Sequence, residues 1–236
     1  MPGTRLPKKP EHGSSPRTAQ RPRPQREEKP FVPKGKKSRT EVFLNVPYDP
    51  QFDKLFLAYI AGLSAYRMVP RATLEITDSS RRLEKILTLE RRCKYSIHDL
   101  SRVQLSPEKP RTPRFNMPFE LGLCVADANR KGRQKQNWFV LEAESHRLNK
   151  SLSDLDGTDP RIHGNTVLGV LSSLGNLFRL PGRQPTVPQM MKIYRVLRKD
   201  QPLILKKAGS TTLYTKRVFA DVCFEASEEA EQIVAE

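Results

Sequence analysis

The chain has 236 residues, with 42 Lys/Arg against 26 Asp/Glu, for a formal net charge of +16; that is one domain of ordinary size plus appendages. No apolar stretch approaches the roughly 18 residues of a membrane-spanning helix, so no membrane partner is expected. Three widely spaced cysteines, Cys93, Cys124 and Cys223, have neither metal-ligand spacing nor an even count, and read as free thiols of a reducing, cytoplasmic compartment.

Residues 1–40 hold 12 Lys/Arg, 3 Glu and 8 of the 20 prolines. Too few large apolar side chains are present to offset the entropy of ordering them, so this segment reads as a disordered, basic, proline-rich tail. Such a tail is either a solvated leader or a weak contact for polyanions such as nucleic acid. It lacks the apolar core of a secretory signal.

Val42-Phe43-Leu44-Asn45-Val46, closed by Pro47, is the continuous short apolar run of a buried parallel strand. Phe52, Leu55, Phe56, Tyr59, Ile60 and Leu63 then recur with the spacing of an amphipathic helix. Met68 to Ile76 reads as a second strand interrupted by Pro70, and Thr77 to Ser80 supply N-cap candidates for a helix through Leu83, Ile86, Leu87 and Cys93. Tyr95 to His98 is a third strand, ending at Asp99. After a polar, proline-containing loop, Asn116 is a candidate cap for a helix with Pro118 in its first turn, whose Phe119, Leu123, Cys124 and Ala126 would face inward. Asn137 to Leu141 is a fourth strand.

Residues 151–164 form an acidic, turn-rich connection, either bonded to its own backbone or serving as a lid. A helix through Val167, Leu168, Leu171, Leu174 and Phe178 follows, broken at Pro181-Gly182. Further helices are expected over 185–199 and 212–232. The alternation of strand and helix predicts an α/β fold, a flavodoxin-like doubly wound parallel sheet of four or five strands over residues 41–180, with a helical C-terminal extension over 181–236.

In such a sheet ligands bind beyond the carboxyl ends of the strands, where strand order reverses. That rule selects Asn45, Tyr48 and Asp49 after the first strand, Asp99 and Ser101 after the third, and Arg114, Phe115, Asn116 and Glu120 around the start of the following helix. Glu142 and Glu144 follow the fourth strand. There is no Gly-rich phosphate loop and no nucleophile elbow. Carboxylates with amide and hydroxyl neighbours suit a ribose, and a carboxylate stabilises the oxocarbenium-like centre of a breaking glycosidic bond. Each residue has a structural reading as well. Glu120 is an acid near a helix start, Asp99 can bond the next turn's amides, and Asp49-Pro50 can be an N-cap with Pro at the first helical position. Arg114 can clamp a phosphate, while Phe115 either stacks on a base or staples the helix start. His98 reads as a core histidine. His163 lies in the loop from the same rim.

The runs Asp99-Leu100-Ser101 and Phe115-Asn116-Met117-Pro118-Phe119-Glu120-Leu121-Gly122 resemble the Asp/Ser strand end and Glu-Leu-Gly helix of the nucleoside 2-deoxyribosyltransferase-like and Toll/interleukin-receptor (TIR)-like proteins. Val42 to Asp49 with Phe52 resembles the opening strand and loop of TIR-like domains. The resemblance spans about residues 41–145. It departs from the usual TIR pattern at Pro47 and in lacking a tryptophan before the glutamate. It implies N-glycosidic chemistry on NAD or a related nucleotide with Glu120 as the catalytic residue, no further cofactor, and a bacterial defence or signalling setting. It also implies a homo-oligomer or a partner effector protein. The alternative on the same fold is a nucleotide-sensing or protein-interaction module without turnover.

Overall fold

The computed structural model describes residues 39–234, apart from 79, 104–108, 110–111, 131–136, 156, 180 and 183. Expectations for residues 1–38 therefore lie outside the described residues. Arg39 and Thr40, expected to belong to the tail, are part of the folded unit. Thr40 O accepts from Val69 N at 2.8 Å, and the Arg39 guanidinium bonds Ser227 and Glu231.

Five parallel strands, β1 (Glu41–Asn45), β2 (Val69–Ala72), β3 (Tyr95–Asp99), β4 (Asn137–Glu142) and β5 (Arg161–Ile162), lie in the order β2-β1-β3-β4-β5. This is the expected flavodoxin-like arrangement. Pro70 sits in the edge strand β2, where its missing N–H costs little; the strand is shorter than its apolar run and gives way to a 3-10 turn at Thr73–Glu75. β5 was hidden inside the expected 151–164 connection. It pairs with β4 through only Leu141↔Arg161 and Glu142↔Ile162, and two exposed residues leave no alternation to read.

On one face Val42, Leu44 and Val46 of the β1 segment and Ile97 of β3 meet α1 (Asp53–Ala65). Leu55 to Ala65 of α1 are buried without exception. The expected one-sided apolar stripe is thus an all-round core helix, because α5 (Val167–Leu177), α6 (Val187–Ala208) and α7 (Lys216–Ile233) cover the side turned away from the sheet. At Gly62 a Cβ would lie 2.5 Å from Leu174 Cδ1, so the glycine lets α5 approach α1. The opposite face carries α2 (Arg82–Arg92), whose Ile86 and Leu89 pack with Cys93 on Phe43, and α3 (Asn116–Ala128), whose Met117 and Leu121 pack on Leu100 and Val140. A short α4 (Arg147–Ser151) follows β4.

Two helix starts differ from expectation. Arg81, in the left-handed region at φ +49°, precedes α2, and no side chain caps it. Asp78 instead closes its own turn, accepting from Ser80 N at 2.8 Å. Phe115 precedes α3, again without a side-chain cap, so Asn116 caps nothing. The inward stripe of α3 is Met117, Leu121 and Cys124; Phe119 is 56% exposed, Ala126 is exposed and Leu123 half-buried. The last three helices begin on hydroxyl caps. Thr166 Oγ1 accepts from Gly169 N, Thr186 forms a capping box with Gln189, and Thr215 Oγ1 accepts from Val218 N. α6 runs through the exposed Pro202 and beyond residue 199, anchored past the proline by buried Ile204, and ends at Gly209 with φ +63°.

Among the described residues no helix is long and apolar enough to cross a membrane. All three cysteines are free; Cys93 and Cys124 are buried and Cys223 partly so.

Candidate functional site

β1 leads into α1 on one face and β3 into α3 on the other, so the crevice prescribed by strand order opens between the carboxyl ends of β1 and β3. Asn45 forms its floor and is only 4% exposed. Its amide Nδ2 donates to Met117 O at 3.1 Å and to His98 Nδ1 at 3.0 Å. His98 Nδ1 is therefore an acceptor, its proton sits on Nε2, and that nitrogen donates to Ser96 Oγ at 3.2 Å. Ser96 Oγ in turn bonds Cys124 Sγ at 3.1 Å. Burial pushes His98 down to about 3, in keeping with a neutral ring. Asn45 is thus a strut that ties β1 to β3 and to the first turn of α3.

Asp49 caps the 3-10 turn at Pro50–Phe52, accepting from Gln51 N at 3.1 Å, with Pro50 in the first helical positions. Its other oxygen accepts from Arg102 Nε at 2.8 Å and Arg114 Nη1 at 2.9 Å. Tyr214 of the α6–α7 connection donates to Asp49 O at 2.7 Å. Arg114, read as a phosphate clamp, is held here by a protein carboxylate. Tyr48 bonds Thr73 Oγ1 at 3.0 Å and lies against the Tyr214 ring at 5.4 Å; burial, above all, raises its phenol.

Asp99 is wholly buried and turned to the α1 face. Oδ1 accepts from Ser101 N at 2.9 Å and from Ser101 Oγ. Oδ2 accepts from Tyr59 OH at 2.7 Å and lies 3.2 Å from His163 Nε2. His163 Nδ1 accepts from Asn165 N at 3.1 Å, which leaves the ring proton on Nε2, the nitrogen turned to the carboxylate. Beside this group, buried Glu142 takes Arg147 Nε at 2.9 Å and Nη2 at 2.5 Å, and Arg147 Nη2 also donates to Leu100 O at 3.0 Å. Burial raises Glu142 to about 7 against the pull of Arg147, with Asp99 adding to the rise. Glu144 is exposed.

Glu120 is different in kind. It lies half-buried on α3 and no hydrogen bond or ion pair fills its carboxyl among the described residues. Burial lifts it to about 7, with Arg82 pulling the other way, and its charge reaches Tyr48. On the same stretch of chain Phe115 and Phe119 are 68% and 56% exposed, and Asn116 is exposed.

A carboxyl raised in the folded state binds its proton more tightly there than in the unfolded chain. The stability it contributes is present below the unfolded value and is lost as pH rises towards about 7. Glu120→Gln is therefore expected to gain in Tm relative to the unsubstituted protein between pH 5 and pH 8. A constant offset measured by thermal unfolding at both pH values would show that Glu120 titrates normally.

The predicted rim is thus divided by the sheet. Asn45, Asp49, Arg114 and the start of α3 are joined by hydrogen bonds, whereas Asp99 and Ser101 are locked with Tyr59 and His163 beneath the α1 face. Sequence reasoning took Tyr59 as one residue of an apolar stripe and left His163 in a connecting loop. The signal that marks His163 is its turn: Gly164 and Asn165 both have positive φ (+60° and +55°) before the Thr166 cap. No family model, curated protein or solved structure matches this chain.

Proposed function

We propose that the chain binds a nucleotide at the β1/β3 rim and breaks its N-glycosidic bond, with NAD or a related nucleotide as substrate and Glu120 as the catalytic residue. The observation that carries this reading is the state of Glu120, a carboxyl with no hydrogen bond or ion pair among the described residues, lifted to about 7 by burial beside a strand-order crevice. Near neutral pH such a group is ionised in part. As carboxylate it faces the positive charge that grows on the ribosyl carbon as the C–N bond breaks and its electron pair leaves with the base. It can then take a proton from the water that adds to that carbon. Exposed Phe115 and Phe119 offer apolar faces to a base, and Arg82 is the cation nearest in effect to Glu120. The sequence resemblance over residues 41–145 points the same way.

A second reading, a module that holds a nucleotide without turnover, is favoured by one observation. Asn45, Asp49, Asp99 and Ser101 are all engaged by protein partners, leaving few polar groups for orienting a substrate. Release of nicotinamide from NAD, followed for the full chain and for Glu120→Gln, separates the two. The enzyme reading expects release that falls about 100-fold or more in the variant. Equal rates in both would overturn it, and NAD binding with the nucleotide recovered intact would establish the module.

A further inference from the structure

Beyond any activity at the rim, we infer that the outer surface of α6 and α7 is a self-association face, on which the basic α6 of one copy lies against the acidic α7 of a second copy and the reverse. The surface side of α6 presents Lys192, Arg195, Lys199, Leu203 and Lys206, all exposed and recurring at helical spacing. No acid interrupts this row. The buried side of the same helix, Met190, Ile193, Leu197 and Ile204, is spent on the core.

Beyond Lys216 and Arg217 in its first turn, α7 carries the opposite sign. Glu225, Glu228 and Glu229 lie at its surface around Phe224, which is 65% exposed. Leu203, at 51%, holds the equivalent place among the cations of α6. The two helices are neighbours in the fold, yet among the described residues no ion pair joins the cations of that α6 row to these acids. The charges are segregated side by side, and each half is left without its complement within the chain.

A surface with one basic and one acidic half is self-complementary under a two-fold rotation about an axis between the halves. The operation sets α6 on α7 twice, with Leu203 and Phe224 as the apolar centres of each pairing. At about 1.5 Å per residue the shared length is roughly 27 Å; across two helix widths the projected face is on the order of 500 Å² per copy. That is the range of a reversible dimer rather than an obligate one. Screening over about 8 Å at physiological salt makes it ionic-strength dependent. Nucleic acid fits the α6 row alone but is repelled by α7. A membrane surface is disfavoured in the same way, because the apolar side of α6 is already buried.

Sedimentation velocity on the full chain tests the inference. At about 50 mM salt a monomer–dimer equilibrium is expected, with the apparent Kd rising about tenfold or more by 500 mM. Lys199→Glu/Lys206→Glu and Glu225→Lys/Glu228→Lys should each be monomeric under the same conditions, with unchanged circular dichroism. Mixing the two variants should restore the dimer, since acidic α6 then meets basic α7 and basic α6 meets acidic α7. A monomeric wild-type chain at low salt would overturn the proposal, as would a mixture that stays monomeric. Gel retardation of duplex DNA by a monomeric wild-type chain, lost with Lys199→Glu/Lys206→Glu, would overturn it in favour of a polyanion site.

Discussion

Asp99→Ala is expected to lower stability by about 3–5 kcal/mol, read as a shift in the urea midpoint without a change in slope. The carboxylate accepts three hydrogen bonds at once, from Ser101 N, Ser101 Oγ and Tyr59 OH, and lies 3.2 Å from His163 Nε2. Alanine leaves Tyr59 OH, Ser101 N and Ser101 Oγ, all on buried residues, without their acceptor, and removes the carboxylate from beside His163 Nε2. Each such orphan costs about 1–3 kcal/mol, and the losses overlap because they share one cavity. Burial, and then the carboxylate itself, raises the Tyr59 phenol well above its ordinary value, so the tyrosine cannot ionise to compensate. Tyr59→Phe removes one donor and leaves both bonds from Ser101 in place, and should cost only about 1 kcal/mol. If Asp99→Ala cost no more than Tyr59→Phe, water would have to reach the carboxylate, and the dry network described above would be wrong.

That network also shows where a sequence stops being informative. Asp99 was legible because it ends the strand segment Tyr95 to His98 and strand-order rules mark such positions. Its direction was not, since the side chain turns under the α1 face, while Asn45 and His98 bond on the α3 face. Three of Asp99's partners in one pocket come from chain positions 59, 101 and 163, and nothing local in those segments announces the meeting. The strands β1 and β4 were legible for the opposite reason, as continuous apolar runs that need no partner to be recognised. α1 was recognised as a helix but read as one-sided, because α6 and α7, which cover it, lie more than a hundred residues further on. On α3 two apolar phases compete. The sequence reading placed Phe119, Leu123, Cys124 and Ala126 inward; the structure buries Cys124 as expected, but with Met117 and Leu121 rather than Phe119. That phase leaves Phe119 at the surface, where Phe115 just before the helix is also exposed.

Gly169→Ala is expected to cost about 3 kcal/mol, although it places the better helix former in a helix. Gly169 is the third residue of α5, where the chain folds back on the turn it has just left. A Cβ there would stand 1.9 Å from His163 O, 2.6 Å from His163 C and 2.8 Å from Thr166 Oγ1. The contact is with backbone that has little room to give. His163 O already accepts from Thr166 N at 3.1 Å and Thr166 Oγ1 at 3.0 Å. His163 N donates to Glu142 O at 2.9 Å, which ties the same residue to β4. Relief therefore requires the turn to move, and the imidazole moves with it away from Asp99. Gly175→Ala, six residues on in the same helix, supplies the contrast. Its Cβ would meet Met190 Cε and Val187 Cγ2 at 3.9 Å, ordinary contact, so the substitution should stabilise by about 0.5–1 kcal/mol. Opposite signs from one substitution in one helix would trace the cost of Gly169 to the His163 carbonyl. A Gly169→Ala protein as stable as its parent would mean that the turn yields freely and does not hold His163 in place. A double-mutant cycle with Asp99→Ala sharpens the point. If the glycine acts by positioning the imidazole, the two losses should fall short of additive by more than about 0.5 kcal/mol, the scatter expected of independent sites.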